Sequence, residues 1–261
     1  MSQKKHPPQA EVRPYKYEKF GITVEDNYAW LKDDNWQLVV KNPGKLSSDI
    51  RNYLESENEY LETEMEHTKK FQELLFSEMK NRVKEDDQSV PMVDGNFSYF
   101  QRFAIGGEYP IFCRYGDEAA NVEILLNCDI EADKYSYFKI ASCTHSDDHQ
   151  KLAYAIDLNG SERFQLLVRD LSTGKNLDTW STDGRGDLVW GCDNNSIYYT
   201  VLDENHRPFR VLRHTLGEHS DTDNIIYEEP DPGFFLGISR SQDKRFLIIN
   251  SHDHTTSEVR I

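Results

Sequence analysis

Nine histidines and a scatter of serines and carboxylates are the residues of this 261-residue chain that could carry chemistry. Ser161 comes nearest to a nucleophile, because it follows Gly160. A nucleophile elbow reads G-x-S-x-G and holds its serine on a strained strand-to-helix turn. Here the neighbours are Asn159 and Glu162, and no G-x-S-x-G occurs in the chain, so Ser161 reads as a turn serine. His145, His149, His252 and His254 fall in or near turns, with no serine or cysteine marked as a nucleophile for them to activate. His252-Asp253-His254 has metal-ligand residue types, but neighbours that alternate along a strand point in different directions. Asp86-Asp87 and Glu228-Glu229 are adjacent carboxylates of the kind found on solvated runs. The expectation is no catalytic residue, no metal ligand set and no cofactor.

Composition sets the bounds. Thirty basic against 46 acidic side chains leave a net charge of −16, which repels phosphate backbones and argues against a nucleic-acid partner. Cys113, Cys128, Cys143 and Cys192 lie far apart with no CxxC, and read as buried free thiols of a reducing compartment. The first residues hold charges and prolines but no apolar stretch of a signal peptide. No run approaches the ~18 apolar residues of a membrane span. A cytoplasmic protein with no membrane partner is expected.

The elements that would position any site change character at Glu78–Pro91 (EMKNRVKEDDQSVP). Residues 1–13 are polar and read as a disordered tail. Residues 14–90 read as a helical arm. In it Asp26 can cap a short turn that carries Tyr28, Trp30 and Leu31 as packing anchors, and residues 35–45 read as a loop around Pro43-Gly44. Ser47 or Ser48 should cap a helix, because Ser47 to Val83 contains no Gly or Pro. Ile50, Tyr53, Leu54, Leu61 and Met65 form one apolar stripe, and Phe71, Leu74, Leu75, Met79 and Val83 a second. The phase breaks near residues 67–70, which predicts two helices. Such stripes need a surface to cover, so the arm should dock on something.

From residue 91 to 261 the apolar runs are strand-length. Phe97–Phe103, Tyr109–Arg114 and Glu123–Leu126 are separated by glycine-rich turns and predict an antiparallel meander. A turn-then-strand unit then recurs, with turn aspartates at Asp148, Asp193 and Asp243, 45 and 50 residues apart. Four short strands per such interval is β-propeller blade spacing. The reading is a mainly β chain with a helical arm and three to four blades of a propeller, left as an open arc; a β-sandwich is the alternative.

Six segments in order carry a family resemblance: Glu25–Asp33 (EDNYAWLKD), Tyr53–Tyr60 (YLESENEY), Met79–Pro91, Gly107-Glu108-Tyr109, Asp157–Phe164 (DLNGSERF) and Thr255–Arg260 (TTSEVR). Together they resemble the N-terminal part of the prolyl oligopeptidase family of serine peptidases, in its oligopeptidase B branch. The resemblance implies a seven-bladed propeller that covers a C-terminal α/β-hydrolase domain and excludes large substrates. It also implies cleavage of short peptides after Lys or Arg, by a Ser/Asp/His triad in that hydrolase domain. None of that domain reads in these residues, so the expectation is a truncated or split piece, inactive alone, whose partner is the hydrolase domain and, once complete, short basic peptides. Glu108 and Tyr109 are the candidate inter-domain or gating contacts. A stand-alone propeller-like module that binds proteins or peptides is the alternative function, and a decayed product without a role is a third.

Overall fold

The computed structural model describes residues 6–117 and 121–261; the first five residues of the expected tail lie outside them. The chain forms two compact units, which divide between Lys84 and Glu85.

In the first unit a hairpin pairs β1 (Lys16–Lys19) with β2 (Ile22–Glu25). Phe20 and Gly21 turn it, both at positive φ. The end of the expected tail is fastened rather than loose. Arg13 N–H donates to the Asn27 carbonyl, and the Trp30 indole donates to the Glu11 carbonyl at 2.9 Å. Residues 35–45, expected as a loop, include a short helix, α1 (Trp36–Lys41). Its six residues carry no Gly or Pro, and Pro43-Gly44 stops it just beyond its C-terminus.

Two longer helices come next, α2 (Ser48–Met65) and α3 (Lys69–Lys80), joined by a 3-10 turn over Glu66–Thr68 where the apolar phase breaks. Ser47 is the N-cap residue, but its hydroxyl makes no capping bond; instead its N–H donates to Asp33 Oδ2 at 2.9 Å. Ile50 is buried, whereas Leu54, Leu61, Met65, Phe71, Leu74, Met79 and Val83 are exposed. The stripes are therefore formed as periodicity demands but cover little within this unit.

The second unit begins earlier than the expected residue 91. Gln88 bridges to Arg102, and Ser89 N–H donates to the Gln101 carbonyl. Its first sheet is an antiparallel meander of β3 (Met92–Asp94), β4 (Phe97–Arg102), β5 (Ile111–Tyr115) and β6 (Glu123–Asn127). A five-residue helix, α4 (Cys128–Ala132), leads out of it. Seven strands then run in chain order: β7 (Lys139–His145), β8 (Lys151–Asp157), β9 (Phe164–Asp170), β10 (Asn176–Trp190), β11 (Ser196–Leu202), β12 (Pro208–Thr215) and β13 (Asn224–Glu228). β14 (Phe235–Arg240), β15 (Leu247–His252) and β16 (Ser257–Arg260) close the chain.

β10 explains why seven strands appear as one sheet. Its first part pairs with β9 up to Gly184, and its last part pairs with β11 from Gly184 onward. It is the outer strand of one blade and the inner strand of the next. The unit is thus three four-stranded blades and a three-stranded fourth, which is a propeller arc and not a sandwich.

Each junction between blades has its own core. Leu125, Leu126 and Phe138 meet Leu152, Tyr154 and Ile156 between the first two blades. Phe164, Leu166 and Trp180 meet Trp190, Ile197 and Tyr199 between the second and third. Val211 meets Leu236 and Ile249 between the third and fourth. Burying each large side chain contributes about 1.5–3 kcal/mol. β8 is buried almost throughout, because a central strand of an inner blade is covered on both faces, while β16 is exposed throughout. Among the described residues no helix is long and apolar enough to cross a membrane.

Candidate functional site: the axial turns of the propeller arc

The repeat visible in the sequence builds one end of the arc. Each of the last three blades joins its first two strands by the same four-residue turn. His149 N–H donates to Ser146 O, Asn194 N–H to Gly191 O and Lys244 N–H to Ser241 O. The fourth residue of each turn has positive φ, between 53° and 60°. The repeating aspartates cap the backbone just beyond them: Asp148 accepts from Gln150 N–H, Asp193 from Asn195 and Ser196, and Asp243 from Arg245. This is the self-capping that makes aspartate a turn residue.

Two of these turns and the ends of β3, β10 and β14 line an open pocket of about 380 Å³, with Asp94, His145, Asp147, Trp190, Arg240 and Lys244 in its wall. The Lys244 ammonium lies 2.7 and 2.6 Å from the two oxygens of Asp94, and His145 Nε2 lies 2.8 Å from the second. The Lys244 ammonium, with help from His145, holds the Asp94 carboxyl at about 2. Burial pushes His145 down, against the pull of Asp94. Its ring stacks on Tyr99 at 3.6 Å, and the Tyr99 hydroxyl meets His149 Nδ1 at 2.8 Å. Arg240 grips Asp147 with two nitrogens at 2.9 and 2.7 Å, and holds it low against the opposing effect of burial.

Asp94, His145 and His149 bring a carboxylate oxygen and two ring nitrogens within 4.8 Å of one another, the one such grouping among the described residues. Lys244 already occupies both oxygens of that carboxylate with a positive charge. The cluster is an ion-pair network in which the Asp94 carboxylate is already matched by the Lys244 ammonium.

The Asp94 shift gives a pH prediction. A carboxyl whose folded pKa is depressed adds stability above its unfolded value near 4, and loses it as pH falls through the folded value near 2. Melting temperatures recorded from pH 5 to pH 2 should therefore fall less steeply in Asp94→Asn than in the unaltered chain. Equal slopes would remove Asp94 from the acid response.

The other singled-out residues lie elsewhere. Glu108 and Tyr109 sit in the turn between β4 and β5, and both N–H groups donate to Asp129 Oδ1, at 3.0 and 2.9 Å. A Cβ at Gly107 would fall 2.5 Å from Asp129 Oδ2, so a larger residue there would displace the bracing carboxylate. The Tyr109 ring packs edge-on against Phe138 at 5.1 Å and belongs to the first inter-blade core, while Glu108 is exposed. In the first unit Trp30 packs edge-on against Tyr53 at 6.1 Å, with the Arg13 guanidinium 4.3 Å over its ring; Leu31 is half-buried and Tyr28 more exposed. Asp26 accepts from Tyr28 N–H at 2.8 Å. The histidines at 252 and 254 do not converge with a third ligand among the described residues: His252 stacks on Phe235, and the Asp253 carboxylate is held at about 2 by the N–H groups of Thr255 and Thr256. Ser161 is a turn residue whose N–H donates to Asn159 Oδ1. All four cysteines are free; Cys113 and Cys128 are buried, Cys143 half-buried, and Cys192 exposed, contrary to the expectation that all four are buried.

A second aspartate series went unmarked in the sequence. Asp157, Asp203 and Asp253 close the turns between second and third strands, each accepting at least two backbone N–H bonds. They are spaced by 46 and 50 residues, nearly the interval of the first series.

Radial blades and turns braced by aspartate define the class of this unit as a propeller arc. Residues 7–261 match the family described as prolyl oligopeptidase, N-terminal beta-propeller domain, and the chain belongs to that family. It is 31% identical over 97% of its length to Protease 2 of Moraxella lacunata, and 30% identical over 97% to dipeptidyl aminopeptidase BI of Pseudoxanthomonas mexicana. It spans 36% of the length of each. Among solved structures, oligopeptidase B from Trypanosoma brucei with covalently bound antipain, in the closed form, superposes with a TM-score of 0.84 and 26% identity. Oligopeptidase B from Leishmania major gives 0.86 and 24%. Both matches cover 97% of this chain and 37% of the solved one. In full-length relatives this N-terminal portion is joined to a C-terminal hydrolase domain.

Proposed function

We propose that these residues are the arm and propeller portion of an oligopeptidase B-like serine endopeptidase that cleaves short peptides after Lys or Arg. The role of this portion is steric. The propeller restricts which substrates reach the active site, and the arm clasps the hydrolase domain that carries the Ser/Asp/His triad. Glu108, exposed on its braced turn, is a contact to that domain, with Tyr109 anchoring the turn from the core. The four free thiols support a cytoplasmic setting.

The observation that carries this reading is the exposed apolar stripe of α3 within a chain that matches Protease 2 along 97% of its length. Phe71, Leu74 and Met79 are each about 60% exposed. A contiguous apolar face of this kind marks an interaction surface.

The test is hydrolysis of a short Arg-containing fluorogenic peptide. The chain alone should give none. The chain expressed in frame with the hydrolase portion of a Protease 2 relative should hydrolyse the Arg peptide in preference to its Ala counterpart, with full sensitivity to a serine-directed inhibitor. Inhibitor-sensitive turnover by the chain alone would overturn the reading, and so would a fused enzyme indifferent to the basic residue.

A further inference from the structure

The axial turns do more than line a pocket, because their contacts form a closed circuit. The first blade meets the second through Asp94 and His145. The second meets the third through Asp148 N–H, which donates to Asn194 Oδ1 at 3.1 Å. The third meets the fourth through Cys192 Sγ, 3.3 Å from the Lys244 carbonyl. The fourth returns to the first through Lys244 and Asp94, and to the second through Arg240 and Asp147. Consecutive blades are neighbours in any propeller; a bond from the fourth back to the first crosses the axis.

Lys244 is placed for this at a local disadvantage. Its φ is +60°, in the left-handed region where glycine is at ease and a lysine is strained by about 1 kcal/mol or more. A turn that needed only to reverse the chain would be served better by glycine. The lysine is held there by both oxygens of Asp94, by a longer approach to Asp147 Oδ1 at 3.4 Å, and by the Arg240 Nε–H, which donates to the Lys244 carbonyl at 2.8 Å. Backbone strain maintained by a converging set of polar contacts is the pattern of a built device.

We infer that Lys244 is an axial latch: it ties the fourth blade back across the arc to the first, so that the four blades hold their curvature at this end by their own contacts. The latch belongs to the propeller's architecture, whichever peptides the whole enzyme cleaves.

The sign of one substitution separates the latch from an ordinary turn. In the 261-residue chain, Lys244→Gly relieves the left-handed strain and removes the ammonium. If Lys244 only turns the chain, the variant melts at the same temperature or higher. If it is the latch, the melting temperature falls, by about 2–4 °C per kcal/mol lost in a unit of this size. Asp94→Asn should lower it alone and add little in the Lys244→Gly background; an additive effect would overturn the coupling. Should a variant fail to fold, the unaltered chain decides. A zero-length carbodiimide should join the Asp94 carboxylate to the Lys244 amine, giving a linked peptide by mass spectrometry, and absence of that peptide would overturn the latch.

Discussion

Replacing His214 with alanine is expected to destabilise the propeller unit by about 3 kcal/mol, which lowers its melting temperature by about 6–12 °C. His214 is fully buried on β12, and both ring nitrogens face carboxylates: Nδ1 lies 2.7 Å from Asp223, and Nε2 lies 3.2 Å from Asp178. Asp178 belongs to the part of β10 that is the outer strand of the second blade, whereas His214 and Asp223 belong to the third. The ring also stacks on Trp180 of the second blade at 4.0 Å. The contact is therefore a polar staple set in the apolar junction between blades. Removing one partner of a buried charged contact leaves the other desolvated and unpaired, which typically costs about 3–5 kcal/mol. The lower figure applies because Asp223 keeps the Tyr199 hydroxyl at 2.6 Å and Asp178 keeps the Gly217 N–H at 2.7 Å. Burial and the Asp223 carboxylate together push the Tyr199 phenol well up, so it remains a donor through the accessible pH range. Thermal and urea unfolding of His214→Ala would check the figure. A loss under about 1 kcal/mol would mean that the apolar core alone joins these blades.

The local features that the sequence displays are those with a short period. The phase break between the two long helices is legible because apolar residues recur at three and four, and the turns at Asp148, Asp193 and Asp243 because aspartate caps its own turn two or three residues on. Partners brought together by closure of the arc leave no such mark. Asp94 and Lys244 are 150 residues apart, and Asp147 and Arg240 are 93 apart. Nothing in the spacing of either pair distinguishes it from other surface charges, and only the radial packing of blades makes them neighbours. Tyr109 illustrates a subtler limit. Its glycine-rich turn marks it as a candidate contact, but the direction of its ring depends on Asp129, 20 residues on, which pins the backbone and turns the side chain toward Phe138. The helix α1 escapes notice because six residues supply too little periodicity to outweigh Pro43-Gly44.

The crossing of β10 from one blade to the next sets the second large effect. Gly184 and Gly186 lie within a 15-residue strand, where glycines would ordinarily signal a turn. Gly186 has φ +97°, and a Cβ built there would fall 2.6 Å from Ala141 Cβ on β7 and 2.9 Å from the Phe164 ring. Its carbonyl accepts the Ser142 hydroxyl at 2.5 Å, so the backbone cannot easily withdraw. The strand passes between blades only because nothing projects from it at this point. Gly186→Ala should combine a left-handed conformation, about 1–2 kcal/mol, with overpacking against a stiff methyl and a ring, about 1–3 kcal/mol. About 3 kcal/mol in total is expected, and Gly186→Val should yield no folded propeller. Gly174→Ala separates the two contributions, because Gly174 has φ +68° but nothing within 4 Å of its Cβ position. That variant should lose only the conformational part, about 1 kcal/mol. If urea unfolding found Gly186→Ala no less stable than Gly174→Ala, the close approach of β10 to β7 would not constrain the blade crossing, and the continuity of the two blades would have to rest on the paired edges of β9 and β11 instead.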